Sequence, residues 1–158
     1  MATAATAAGV GLLAACSSGS TSTTTARHAA SGHAKRAAIL SLRSISSIPG
    51  KALVDSHGRA LYLFEADKHR KSTCSGPCAT AWPPFTTTGT PQAGSGVRQG
   101  MLGVIRRADG AMQVTYNGHP LYYFGGDGKA GTAKGQGATA FGAGWYVVNA
   151  SGSKIDTS

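Results

Sequence analysis

Six carboxylates serve the whole 158-residue chain, against 15 Lys and Arg. So few acids form no recognisable acid and base couple of the kind glycoside hydrolysis requires. No G-x-S-x-G elbow occurs, and Ser, His and Asp recur only at chance spacings, which argues against a serine hydrolase. The run "GGDGKAGTAKGQG", residues 125–137, is Gly-rich but lacks the Gly-Lys-Ser/Thr ending of a phosphate loop, and no helical pattern follows it. It reads as a long hairpin loop or a binding loop. Beyond the leader, no apolar run is long enough to span a bilayer. Charged residues make up 13% of the chain, about half of ordinary usage. Long helices laced with salt bridges are therefore not expected.

Glycine is abundant instead, at 23 of 158 residues. That favours tight turns joining short strands. Nine of the 15 bases fall between Arg27 and Lys71, so the surface should attract polyanions. Anionic lipid headgroups or envelope polymers are the expected partners. Nucleic acid is not, because the chain carries marks of export.

Those marks lie in "MATAATAAGVGLLAAC". The segment is small-residue-rich, apolar and too short to cross a membrane, and its last four residues read as a lipoprotein cleavage box. Residues 1–15 are then a signal peptide and Cys16 the lipidated N-terminus, which would anchor the chain to the membrane outside the cytoplasm. One departure from the pattern, no Lys or Arg before the apolar run, bears on where the true start codon lies. "SSGSTSTTT" at 17–25 has the composition of a flexible tether. The linker is expected to run from 16 to 47, although Ile39, Leu42, Ile45 and Ile48 recur every third residue and could mark a short helix or an irregular strand.

A folded domain is expected over 48–152. Residues 52–67, "ALVDSHGRALYLFEAD", align without gaps to 112–127, "MQVTYNGHPLYYFGGD". Val54/Val114, Gly58/Gly118, Leu61/Leu121, Tyr62/Tyr122, Phe64/Phe124 and Asp67/Asp127 are identical, six of sixteen at one offset. That is the mark of an internal duplication, with repeats near 50–90 and 101–150. Each copy reads as strand, tight turn and strand. In the second copy the turn is Asn-Gly, whose two positions suit a type I′ hairpin. A further hairpin is expected from "MLGVIRR" and "AMQVTY" around Asp109-Gly110, and a closing strand from "WYVV" at 145–148. The fold class is therefore all-β, a small antiparallel sandwich or barrel made of two related meanders. Alternation places Tyr62 and Phe64 on one face and Leu61 and Leu63 on the other. Tyr122 and Phe124 oppose Leu121 and Tyr123 in the same way. Apolar bulk on both faces implies central strands packed on both sides.

The combination of "YLFEAD" and "YYFGGD" with "CSGPCATAWPP" and "TYNGHPLYYF" resembles the bacterial secreted-repeat lipoproteins, predicted lipoproteins with a Tyr-x-(Phe/Trp/Tyr)-x-x-Asp signature. The resemblance spans about Gly50 to Gly152. It implies location and architecture only, since that family is described as of unknown function.

Cys74 and Cys78 are the strongest chemical candidates. With Cys16 lipidated, the remaining two form an even pair in an oxidising compartment, which favours a structural disulfide. A redox role is less suited to three intervening residues than to the usual two. Zn or Cu held by Cys74, Cys78 and His69, with His57 in the related turn, is the metal alternative, although the spacing matches no standard site. His28, His33 and His119 read as surface residues. Asp67 and Asp127 are expected to accept backbone N–H groups at the strand exits, or else to bind a cation or polar ligand at two equivalent mouths. Trp82 before Pro83 and Pro84 reads as a core or corner element in preference to a sugar-stacking platform. No cofactor is implied, no enzyme is expected, and the protein partner is open.

Overall fold

Turn chemistry cuts the chain into short strands. The computed structural model describes residues 37–157. The expected leader, Cys16 and the tether up to residue 36 lie outside the described residues. The strands are β1 (Ile39–Ser44), β2 (Lys51–Asp55), β3 (Tyr62–Phe64), β4 (Gln92–Ala93), β5 (Leu102–Arg106), β6 (Met112–Tyr116), β7 (His119–Pro120), β8 (Ala138–Ala140) and β9 (Ala143–Val147). Among the described residues one short α-helix, α1 (Pro77–Ala81), starts on a proline whose missing N–H is not needed there, and a single 3-10 turn covers Gln99–Met101. Three sheets of three strands result, in the orders β2-β1-β4, β3-β9-β8 and β5-β6-β7. All pairings are antiparallel except β1 with β4.

The expected hairpin around Asp109-Gly110 forms as β5 and β6, and those of the two repeat copies form with different turns. Asn117 and Gly118 sit at φ 48° and 82°, the left-handed pair a two-residue type I′ turn demands. In the first repeat Gly58 alone is left-handed, at φ 81°. Its N–H bonds Asp55 O at 3.0 Å, and Asp55 N bonds Arg59 O at 3.0 Å. This loop has three residues in place of two, and the extra one shifts the register. Leu61 N donates to Leu53 O, whereas Leu121 N donates to Val114 O. Leu53, not Val54, is therefore the spatial equivalent of Val114. The cores agree: Val54 packs on the Tyr62 face, and Leu53 and Val114 on the Leu61 face.

Thr115 is the counterpart of Val54 in this corrected register. Its Oγ1 is buried and has no hydrogen-bond partner. A buried hydroxyl without a partner destabilises, while an isosteric methyl does not. Thr115→Val is therefore expected to stabilise the fold by about 1 kcal/mol in urea unfolding, and no gain in midpoint would contradict that account.

The domain begins earlier than the sequence suggested. Residues 39–44, assigned to the linker, form a strand against β2, with Leu40 opposite Asp55 and Leu42 opposite Leu53. Leu40 is fully buried, while Ile45 and Ile48 close the opposite core from the following turn. The three-residue spacing arose because a strand and a turn each contribute apolar residues. At the other end Ile155 is also buried in the core, so the packed domain passes residue 152. β1 pairs with β2 as β5 pairs with β6, so β1 is the counterpart of β5.

A local two-fold relates the halves. Tyr62 N bonds Tyr122 O and Tyr122 N bonds Tyr62 O, both at 2.9 Å. Around this pair the strands separate two cores. Tyr62, Phe64, Tyr122 and Phe124 join Trp82 and Trp145 on one face. Leu61, Leu63, Leu121 and Tyr123 join Phe85 and Val148 on the other. The expected alternation holds in both copies.

Candidate functional site

The strand ends on either side of the two-fold bring the signature residues together, and they do so across the repeats. Tyr62 Oη donates to Asp127 Oδ2 at 2.6 Å, and Tyr122 Oη donates to Asp67 Oδ2 at 2.6 Å. Each aspartate also pins the loop that follows it. Asp67 Oδ1 accepts from Thr73 N and Thr73 Oγ1 at 2.7 Å. Asp127 Oδ1 accepts from Lys134 N at 2.7 Å. Both carboxylates are buried, where only such bonds make a charge tolerable. The aspartates do accept backbone N–H groups, but six and seven residues downstream rather than in a local Asx-turn.

Each pinned loop then rests on the glycine of the other repeat's turn. A Cβ on Gly118 would lie 3.5 Å from Arg70 Cγ, and one on Gly58 would lie 3.4 Å from Ala130 Cβ. Gly131 N also bonds Gly58 O at 3.0 Å. The loop of 125–137, read as a long hairpin loop or a binding loop, is held down at Ala133, which is buried, and at Gly135, which lies under Trp82, too close for a Cβ, while most of its other residues are exposed.

The aromatic residue of the signature is exchanged too. Phe64 of the first repeat stacks on Trp145 of the second at 4.0 Å. Trp82 of the first lies 4.4 Å from Phe124 of the second. The two indoles stack on each other at 4.0 Å and 6°, so Phe64, Trp145, Trp82 and Phe124 form one column. Trp82 is only 2% exposed; it has no face to offer a sugar, which removes the stacking-platform alternative.

Burial raises the Tyr62, Tyr122 and Tyr123 phenols well above the ordinary value of 10.0, and the carboxylates they face, Asp127, Asp67 and Asp55, add to this. Above pH 10 the unfolded chain therefore releases protons that the folded chain keeps. Stability is fully present below that value and is lost as pH rises from it toward the raised folded values. On alkaline titration, tyrosinate absorbance from these three should appear together with the loss of tryptophan burial. Tyrosinate formed in a still folded protein would contradict the geometry.

Cys74 and Cys78 are joined, with Cα atoms 5.3 Å apart. The bond closes the turn entering α1, and both residues are buried. Arg107, itself buried, reaches this turn from the second repeat: Nη2 donates to Cys74 O at 2.7 Å, and Nη1 to Ser72 Oγ at 2.5 Å and Gln113 Oε1 at 2.8 Å. Ser72 Oγ in turn meets Tyr122 Oη at 2.7 Å, which links the disulfide loop to the Tyr122–Asp67 pair. With the sulfurs bonded to each other, the metal alternative at His69, Cys74 and Cys78 loses its thiolates. His69 is exposed on a turn, and no group of three potential ligands converges among the described residues. Cys74→Ser/Cys78→Ser should lower stability by about 2 kcal/mol, the closure entropy of a five-residue loop. An unchanged urea midpoint would show that α1 and Arg107 hold the segment without it.

Buried Asp55 completes the set. Its Oδ1 accepts from His57 N and Arg59 N at 2.9 Å, and its Oδ2 from Tyr123 Oη at 2.9 Å. Sequence reasoning did not single out Asp55, Ser72, Arg107 or Gln113, and it missed that the Tyr and Asp partners are exchanged between repeats. The available signal was the recurrence of both a phenol and a carboxylate at fixed spacing, since two buried polar groups need partners. The chemistry these residues perform on each other is structural.

The matches to known proteins follow the same division into repeats. No curated protein and no solved structure matches the chain. Residues 44–86 and 103–149 each match a secreted repeat of unknown function. The two matched segments cover more than half of the chain and fall on the halves that the two-fold relates, so the protein belongs to the family of secreted repeats of unknown function.

Proposed function

We propose that the protein is a non-enzymatic binding module of the cell envelope, anchored to the outer face of the membrane through lipidated Cys16 and recognising polyanions. The observation that carries this reading is where the acids went. Asp55, Asp67 and Asp127 are buried and bonded within the scaffold. Glu65 and Asp156 lie against Lys154, and Asp109 against Arg107. Lys68, Arg70 and Lys71 thus face water without a carboxylate partner among the described residues. These bases stand apart from the carboxylates on a chain whose formal net charge is +9. Such a field concentrates anionic polymers and falls off with salt.

A polyphosphate column tests the reading. The full chain should be retained at low ionic strength and elute as salt rises. Passage without retention would overturn the polyanion reading. Anchoring is tested separately by Cys16→Ser, which should release the protein from membranes washed at high salt, where charge attraction is screened and an acyl anchor would still hold. The redox or metal-handling alternative has less support, because both cysteines are buried in one disulfide.

A further inference from the structure

Two hairpin tips hold side chains in a backbone conformation that glycine or asparagine normally occupies. Lys68–Lys71 closes by Lys71 N donating to Lys68 O at 3.0 Å. Between them His69 and Arg70 sit at φ 53° and 60°, and all four side chains are exposed. Phe141 joins β8 to β9 at φ 56°. At 51% it is the most exposed large apolar side chain among the described residues. A Cβ residue in the left-handed region is uncommon, and for a bulky one it is an outlier that points to function.

Both tips leave the β3 sheet at the same end. Phe64 pairs with Trp145, and Glu65 N bonds Gly144 O at 3.0 Å. Because β9 runs antiparallel to β3, the residues before Gly144 and those after Glu65 depart together. On the other side of β3, the antiparallel pairing of Tyr62 with Tyr122 carries His119 to this end as well. Lys68, His119 and Lys154 line one cleft there with Glu65 and Asp67, of about 480 Å³. Arg70 lies across to the second repeat, over Gly103 and Gly118. The three carboxylates nearby are occupied: Glu65 and Asp156 by Lys154 at 3.0 and 3.4 Å, and Asp67 by Tyr122 and Thr73.

We propose that this end of the domain docks on an anionic phospholipid surface, with Lys68, Arg70 and Lys71 against headgroup phosphates and Phe141 at the acyl boundary. The proposal rests on the polyanion reading above and commits it to one source. A dissolved polyanion would be satisfied by the bases alone. A bilayer interface offers anions and an apolar layer side by side, which is what a basic hairpin and a displayed aromatic ring at one end of the sheet match. On a chain tethered through Cys16, docking holds the domain against the leaflet that anchors it.

The experiment uses the full chain with Cys16→Ser, so that no acyl chain contributes, and vesicles of phosphatidylcholine with and without phosphatidylglycerol. The protein should partition onto the anionic vesicles only. Lys68→Gln/Arg70→Gln/Lys71→Gln should lower that partitioning roughly 100-fold. Phe141→Ser should lower it roughly tenfold. Phe141→Trp should bind like the parent and shift its emission to the blue on anionic vesicles. A matched triple elsewhere, Arg43→Gln/Lys51→Gln/Arg98→Gln, should weaken binding several-fold less than the hairpin triple. Equal losses in the two triples, or no blue shift, would overturn the assignment of this face. Retention on polyphosphate without vesicle binding would leave the polyanion reading standing and remove this one. Failure on both would remove both.

Discussion

Asp127→Ala should cost about 3–5 kcal/mol of folding stability, read as the shift of the urea midpoint. The side chain accepts from Tyr62 Oη at 2.6 Å and from Lys134 N at 2.7 Å. Bonds to a charged acceptor contribute about 1.5–3 kcal/mol each, and truncation leaves a phenol and an amide buried without a partner. Asp67→Ala should cost a similar amount, because the two-fold gives Asp67 the same pair of duties toward Tyr122 and Thr73. Tyr62→Phe should cost less, about 1.5–3 kcal/mol, since the carboxylate keeps its bond to Lys134 N. The double mutant should then be more stable than the sum of the single losses predicts, with a coupling of about 1.5–3 kcal/mol. A coupling near zero would mean that the pair is not formed in solution, and would reopen Asp67 and Asp127 as ligand-binding residues.

The second large effect is expected at the indole column. Trp145 is fully buried, with Phe64 at 4.0 Å on one face, Trp82 at 4.0 Å on the other and Tyr122 edge-on at 5.2 Å. Trp145→Ala removes contacts from both repeats at once and leaves a cavity that rigid strands cannot collapse. The expected loss is about 3–5 kcal/mol, out of a total that for domains of this kind is about 5–15. Trp82→Ala should match it, which is what the two-fold requires. Circular dichroism gives an independent readout: parallel stacked indoles couple, so the native spectrum should carry an exciton couplet that Trp82→Phe and Trp145→Phe each abolish. A couplet that survives either change would place the indoles apart in solution. A loss below about 1 kcal/mol would do the same for the packing.

Much of this architecture is legible in the sequence. The duplication was visible as a fixed offset, and Asn117-Gly118 and Asp109-Gly110 marked reversals through their own backbone preferences. Alternation of Tyr62 and Phe64 against Leu61 and Leu63 assigned the two faces, because a strand places neighbours on opposite sides whatever it pairs with. The cysteine pair was also readable, since closure over five residues is local. These features depend on a few consecutive residues, and so composition and period suffice to find them.

The remainder was decided by partners distant in the chain. Residues 39–44 became a strand because β2 and β4 offered both edges, although Ser41, Arg43 and Ser44 dilute the apolar signal. The one-residue longer turn at 56–58 moved Leu53 into the place that a gapless alignment gives to Val54. Above all, the sequence by itself determined that each repeat carries a Tyr, an aromatic ring and an Asp, while only the tertiary structure decided that each repeat completes the other. A phenol and a carboxylate 65 residues apart along the chain meet only after the two halves dock about their axis. No local preference encodes that meeting; it follows from burying both polar groups, which leaves each the other repeat's partner as the one within reach.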